Sequence, residues 1–148
     1  MAEELRQAMV VYCDRISKRT AGELDFVDIT QDVQQVVQNS RVKNGIVSVF
    51  VPGATAAIVM NENERNIIED FRRAIANLAP ASAAYRHGDN ARSHIRAMIL
   101  GPSETIPVRD GSLQIGTWQS VFLVELDVRP RNREVVVRVI GTSAVHEN

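Results

Sequence analysis

The feature that most constrains this chain is the run Gly45-Ile46-Val47-Ser48-Val49-Phe50-Val51, closed by Pro52-Gly53. Its β-branched residues are stiff in a helix and pack well on a pleated surface. It is also shorter than the roughly ten residues of a buried helix. The run therefore predicts a buried strand.

The rest of the chain supplies partners for that strand. Met9, Val10, Val11 and Tyr12 mark a strand over residues 6–15, and Lys18-Arg19-Thr20-Ala21-Gly22 reads as a turn. Phe26 to Ile29 is a short strand or a helix entry. Thr30 is an expected N-cap, with Asp32 in the first turn and Val33, Val36 and Val37 on one helical face. Thr55 to Met60 is a further strand. Asn63 to about Leu78 is a helix with Ile67, Ile68, Phe71, Ile75 and Leu78 on one stripe, and Pro80 stops it. Residues 80–91 are irregular, and residues 92–99 fit helix or strand. Thr105 to Val108 is a strand, Asp110-Gly111 is a hairpin turn, Leu113 to Leu126 is a long return strand, and Val135 to Ile140 is the last strand. The fold class that follows is α+β, with mixed or antiparallel sheets and two main helices, in one domain spanning residues 1–148.

Composition narrows the function. Seventeen basic residues against 18 acidic ones leave a net charge of −1, so no global field favours nucleic acid or an anionic membrane. The basic run Arg129-Pro130-Arg131-Asn132-Arg133 lies between apolar segments and reads as a solvated turn. No apolar run nears the ~20 residues that span a bilayer. The single cysteine, Cys13, rules out an internal disulfide and reads as a buried strand residue. Met1-Ala2-Glu3-Glu4 is acidic where a secretion signal is basic, so the cytoplasm is the expected location.

Candidate chemistry gathers at few positions. Of the three histidines, His146 lies in the tail, while His87 and His94 flank Gly88-Asp89-Asn90 at a spacing that matches no zinc motif. Asn61-Glu62-Asn63-Glu64 falls between a strand and a helix, where scaffolds often carry function. Glu62 there can act as a general base, or Asn63 and Glu64 can simply start the helix. Ser103 follows Gly101-Pro102, where turn amides can meet a phosphate or serve an ordinary turn. Gly116 suggests a bulge or close backbone approach in a strand, and Trp118 reads as core or subunit interface.

In order along the chain, Thr20-Ala21-Gly22-Glu23, Asp28-Ile29-Thr30, Val42-Lys43-Asn44-Gly45, Val49-Phe50-Val51-Pro52 and Thr55-Ala56-Ala57 form the first half of an ordered set. Asn61-Glu62-Asn63-Glu64, Tyr85-Arg86-His87, Ser93-His94, Leu100-Gly101-Pro102-Ser103, Ile106-Pro107-Val108 and Gly116-Thr117-Trp118-Gln119 complete it. Together they resemble the YjbQ-like family, described as secondary thiamine-phosphate synthases, over about residues 5–141. The resemblance implies an α+β homotrimer with a histidine-rich pocket for a metal or an anion. It also implies a weak activity that joins a pyrimidine diphosphate to a thiazole phosphate, which needs a pyrophosphate cradle. Carried over by residue, Glu62, His87 and His94 are the implied catalytic set, and His87 and His94 the implied ligands of a divalent metal, zinc or magnesium. Asn61, Asn63, Arg92, Ser103, Trp118 and Gln119 are the implied contacts to a small phosphorylated molecule.

The chain departs from the family pattern at several points. Pro52 is followed by Gly53-Ala54-Thr55-Ala56 where the family has Pro-His-Thr-Thr/Ser-Ala, so a histidine is replaced by glycine. Arg92 stands where many members carry a second histidine, and Arg65-Asn66 replaces an Asp-Pro. The expectation is therefore either a site with Glu62 or Asp89 as a third ligand, or one in which Arg92 grips the phosphate directly. The alternative is a degenerate, non-catalytic trimer that binds a ligand or serves a structural role.

Overall fold

The computed structural model describes residues 8–143, so His146 and the start of the residue 6–15 strand lie outside the described residues. Eight strands and three helices follow in the order β1 (Val10–Arg19), β2 (Asp25–Asp28), α1 (Thr30–Ser40), β3 (Asn44–Phe50), β4 (Ala56–Glu62), α2 (Arg65–Leu78), α3 (Ala91–Leu100), β5 (Ser103–Arg109), β6 (Ser112–Leu113), β7 (Gln119–Glu125) and β8 (Asn132–Thr142). A five-stranded sheet has the order β1-β8-β3-β5-β6 and a three-stranded sheet the order β2-β7-β4. The α+β class holds. Its pairings are antiparallel rather than mixed, and residues 91–100 add a third helix.

The inner face of the large sheet packs on α1 and on one face of the small sheet. Val47, Val49, Val135, Val137 and Val139 meet Val33, Val36 and Val37 of α1 and Ile58 and Leu123 of the small sheet. Alternating side chains on β8 place one set in that core and the other outside, as the period of a strand requires. The second face of the small sheet carries Ala57, Phe122 and Val124, packed against Ile68 of α2 and Ala97 and Leu100 of α3. The molecule is thus three layers deep: large sheet, small sheet with α1, then α2 and α3.

Several boundaries differ from the sequence expectations. β1 runs on through Lys18 and Arg19, because both pair with β8, and the turn begins at Thr20. The run around β3 is buried on one face only: Val47, Val49 and Val51 are buried, while Ile46 and Phe50 on the other face are exposed. The expected strand from Leu113 to Leu126 is divided. β6 ends at Leu113, residues 114–118 leave the large sheet, and β7 joins the small one. The Asp110-Gly111 hairpin is present, with positive φ at both residues and Arg109 paired to Ser112. Thr30 is the first helical residue rather than the cap. Its hydroxyl donates to Asp28 Oδ1 (2.6 Å) and accepts from the Val121 amide (2.8 Å).

Where β3 and β8 cross, Gly45 and Gly141 are partners, and a Cβ on Gly45 would lie 2.0 Å from the Ile140 carbonyl oxygen. Only glycine lets these backbones approach so closely. Cys13 is exposed rather than buried, since its side chain falls on the outer face of edge strand β1.

Candidate functional site: two poles of one strand

β4 has two ends, and the candidate residues divide between them. At the Ala56 end, α3 brings His94 against the loop that enters the strand, so that Gly53, Ala54, Ala56, His94, Ala97, Met98 and Pro102 line one cavity of about 210 Å³. A neighbouring cavity of about 360 Å³ has Tyr85, Arg86, His87, His94, Ile95 and Met98 among its lining. The His87 and His94 rings meet edge to face with centroids 4.6 Å apart. The irregular segment that carries His87 is pinned by the Tyr85 hydroxyl, which donates to the Pro80 carbonyl (2.7 Å).

Glu62 is at the other end. Six residues separate it from Ala56 along β4, roughly 20 Å at ~3.3 Å per residue. The expected grouping of Glu62 with His87 and His94 is therefore not made within one chain. Glu62 instead pairs across the sheet with Gln119, and Asn61 with Ser120. Asn61 Oδ1 accepts from the Glu62 amide (2.8 Å), and Asn63 Nδ2 donates to Asp28 Oδ2 (2.9 Å). The cap of α2 is Glu64, one residue past Asn63, whose carboxylate accepts from the amides of Asn66 and Ile67. Those two bonds hold the Glu64 carboxyl below its usual range. Asp28 is the hub of this end. Burial pushes its carboxyl up, but the Thr30 hydroxyl and amide, Asn63 and Ser120 outweigh that and hold it low. Gln119 Oε1 accepts from the Gly116 amide (2.7 Å), and Trp118 is 74% exposed rather than in the core.

Two further expectations change. Arg92 is engaged by Glu23, with Nη2 2.7 Å and Nε 3.0 Å from Oε1, so it does not face the histidines as a free phosphate ligand. The Glu23 hydrogen bonds keep the Arg92 guanidinium more firmly protonated. Arg133, expected in a solvated turn, is instead a buried residue of β8. Its Nε donates to Glu125 Oε1 (2.9 Å) and its Nη2 to Glu125 Oε2 (2.5 Å) and the Thr55 carbonyl (3.0 Å). Glu125 also accepts from the Thr20 hydroxyl and the Asp127 amide.

Arg133 is the residue that sequence reading missed. None of its hydrogen bonds uses Nη1. Arg133 as a whole is only 6% exposed. Its Nη1 lies 3.1 Å from where a Cβ on Gly53 would sit. Gly53 lines the same cavity as His94, so the guanidinium lies just behind that part of its wall. The one sequence signal for it is the alternation of β8, which puts Arg133 on the same face as Val135 and Val137.

As a metal site the histidine end falls short. Zinc takes at least three protein donors and magnesium prefers oxygen. Among the described residues no group of three or more His, Cys, Asp or Glu is placed to hold a metal. Asp89 does not complete the pair. Ser103 is exposed at the start of β5, next to Pro102 of the smaller cavity. Among the described residues, no helix is long and apolar enough to cross a membrane.

Comparison with known proteins matches this architecture throughout. The pattern of the family described as "UPF0047 protein YjbQ-like" covers residues 14–142. A UPF0047 protein of Methanothermobacter thermautotrophicus is 43% identical over 136 residues, covering 90% of this chain and 94% of the relative. The YjbQ protein of Salmonella typhimurium is 32% identical over 68% of this chain and 76% of its own. A solved YbjQ-like protein of unknown function from Sulfolobus solfataricus superposes with a TM-score of 0.88 at 44% identity, covering 90% of this chain and 99% of that one. The chain belongs to the YjbQ-like UPF0047 family.

Proposed function

We propose that this protein is a homotrimer that binds a phosphorylated small molecule at the histidine end of β4 and carries a weak thiamine-phosphate synthase activity there. The observation that carries the reading is the edge-to-face pair of His87 and His94 over adjoining cavities, with Arg133 Nη1 close behind Gly53. In the reaction, the ring nitrogen of a thiazole phosphate attacks the methylene carbon of a pyrimidine diphosphate. A C–N bond forms, the C–O bond breaks, and the electron pair leaves with pyrophosphate. The imidazole N–H groups and the guanidinium N–H are donors aimed where that leaving charge develops. The trimer is supported by the outer face of the large sheet. There Val11 pairs with Ile140 and Ile140 with Ile46, a row whose two ends are 67% and 45% exposed. In such an assembly Glu62 acts at a histidine pair only as a residue of a neighbouring subunit. The free, exposed thiol of Cys13 fits a reducing cytoplasm.

Synthesis of thiamine phosphate from the two phosphorylated halves tests the activity. Wild type is expected to exceed His94→Ala by at least about tenfold, the effect of one leaving-group donor. Equal rates at the uncatalysed background overturn it and favour the second reading, a trimer that binds a ligand without turning it over. That reading is favoured by Gly53, which removes a side chain from the cavity. Zinc titration of metal-stripped protein is expected to show only weak binding. A tight site would mean that another subunit supplies the third ligand.

A further inference from the structure

The opposite end of β4 borders an apolar cavity. The stripe of α2 that the sequence predicts as a buried face is mostly not buried: Ile75 is covered, while Ile67 is 42% and Leu78 68% exposed. Its N-terminal half instead walls a cavity of about 370 Å³ against the outer face of the small sheet, with Phe26, Phe71 and Phe122 among its lining. Phe26 meets both other rings edge to face, at 5.7 Å, so the three aromatics fix one another. This volume lies in the range of small-molecule sites.

The charge around the cavity has one sign. Glu62 and Asp70 are its titratable lining residues, and no basic side chain lines it. Neither carboxylate has a hydrogen-bond or ion-pair partner among the described residues. Arg72, whose guanidinium sits over the lining residue Phe26, is committed elsewhere. It donates to the Leu24 carbonyl, pairs with Glu69 and lies 5.4 Å from the Phe26 ring centre. An apolar aromatic cavity with unpaired carboxylates at its wall selects a flat apolar body that carries positive charge. An anion would meet like charge, and a neutral ring would leave both carboxylates without a partner.

We propose that this cavity binds a small organic cation, a single ring bearing a protonated amine or quaternary nitrogen. The inference stands apart from the phosphate reading, whose carrying observation is the His87–His94 pair at the other end of β4.

The probes are benzyltrimethylammonium, its neutral isostere neopentylbenzene and the anion phenylacetate, titrated against the full chain by ligand-observed NMR. The cation is expected to bind about tenfold tighter than the neutral ring, with the anion weakest. The double variant Glu62→Gln/Asp70→Asn should bring cation and neutral ring to within about twofold of each other. Ala74→Phe, which fills the cavity and leaves both carboxylates in place, should abolish binding of both. Equal affinity of cation and neutral ring for wild type overturns the proposal, as does cation binding that survives Ala74→Phe. If no probe binds, and Ile67→Lys splits the assembly in sedimentation, a second copy occupies the cavity and the proposal fails. Because no probe carries phosphate, and His94→Ala leaves this end untouched, failure here and failure of the phosphate reading are separate results.

Discussion

The two ends of β4 are held by opposite means. At the histidine end, the loop before the strand rests on a buried ion pair, Arg133 with Glu125, whose partners Thr20 and Thr55 are themselves buried. At the carboxylate end, Asp28, Thr30 and Asn63 join by hydrogen bonds near solvent, and the ligand-sized space is apolar. A buried charge pair is costly to break because either partner alone is stranded. Exposed bonds exchange with water and are worth far less. The loop at the histidine end is therefore the more firmly anchored. The carboxylate end depends on packing and tolerates change.

Removing one charge at the histidine end is the strongest way to break this contrast. Arg133→Met leaves Glu125 buried without its partner and should cost about 3–5 kcal/mol in urea unfolding. A loss below about 1 kcal/mol would show that the pair does not anchor the loop. A smaller effect is expected at Gly53, whose φ of 113° suits glycine alone and whose added Cβ would press on Arg133 Nη1. Gly53→Ala should destabilise by about 1–2 kcal/mol and weaken phosphate binding. Unchanged phosphate affinity would remove Arg133 from the site.

At the carboxylate end, Asp28→Ala should cost only about 1 kcal/mol, because it loses bonds to Thr30 and Asn63 that water can partly replace. It should leave phosphate binding at the far end unaltered. The smallest effect is that of pH. Asp28 and Asp127 are both held below their usual value of 3.8 in the folded chain, Asp127 by the Val128 amide and Arg131 against the opposing effect of burial. A depressed folded value means that the folded state binds the proton less readily than the unfolded one. Their stabilisation is therefore complete above about pH 4 and is lost as pH falls through the folded values. The stability gap between wild type and Asp28→Asn should thus narrow as acid is added. A gap that stays constant would refute the assignment.

Local pattern carried much of the fold. The β-branched run at β3, the Asp110-Gly111 hairpin and the valines of α1 act through neighbours in the chain, and all three are found in the structure. The division of Leu113–Leu126 was not legible, because both halves alternate alike and only pairing partners distant in sequence show that they enter different sheets. Arg92 and Arg133 illustrate the same limit. Arg92 reads as a phosphate ligand and Arg133 as part of a solvated turn, yet Arg92 is tied to Glu23, 69 residues away, and Arg133 is bonded to the Thr55 carbonyl and buried. The cap of α2 missed by one residue, since Asn63 and Glu64 are both good starters and the bond to Asp28 decides between them.

The candidate site divides the same way. The sequence by itself determined the α+β class, the family resemblance and which polar residues stood out, because residue chemistry and order are carried locally. Only the tertiary structure decided that Glu62 stands roughly 20 Å from the histidines at the far end of one strand. It alone decided, too, that Gly53 sits against the buried Arg133. Both are outcomes of packing, in which distance through space is set by layers that no local pattern encodes.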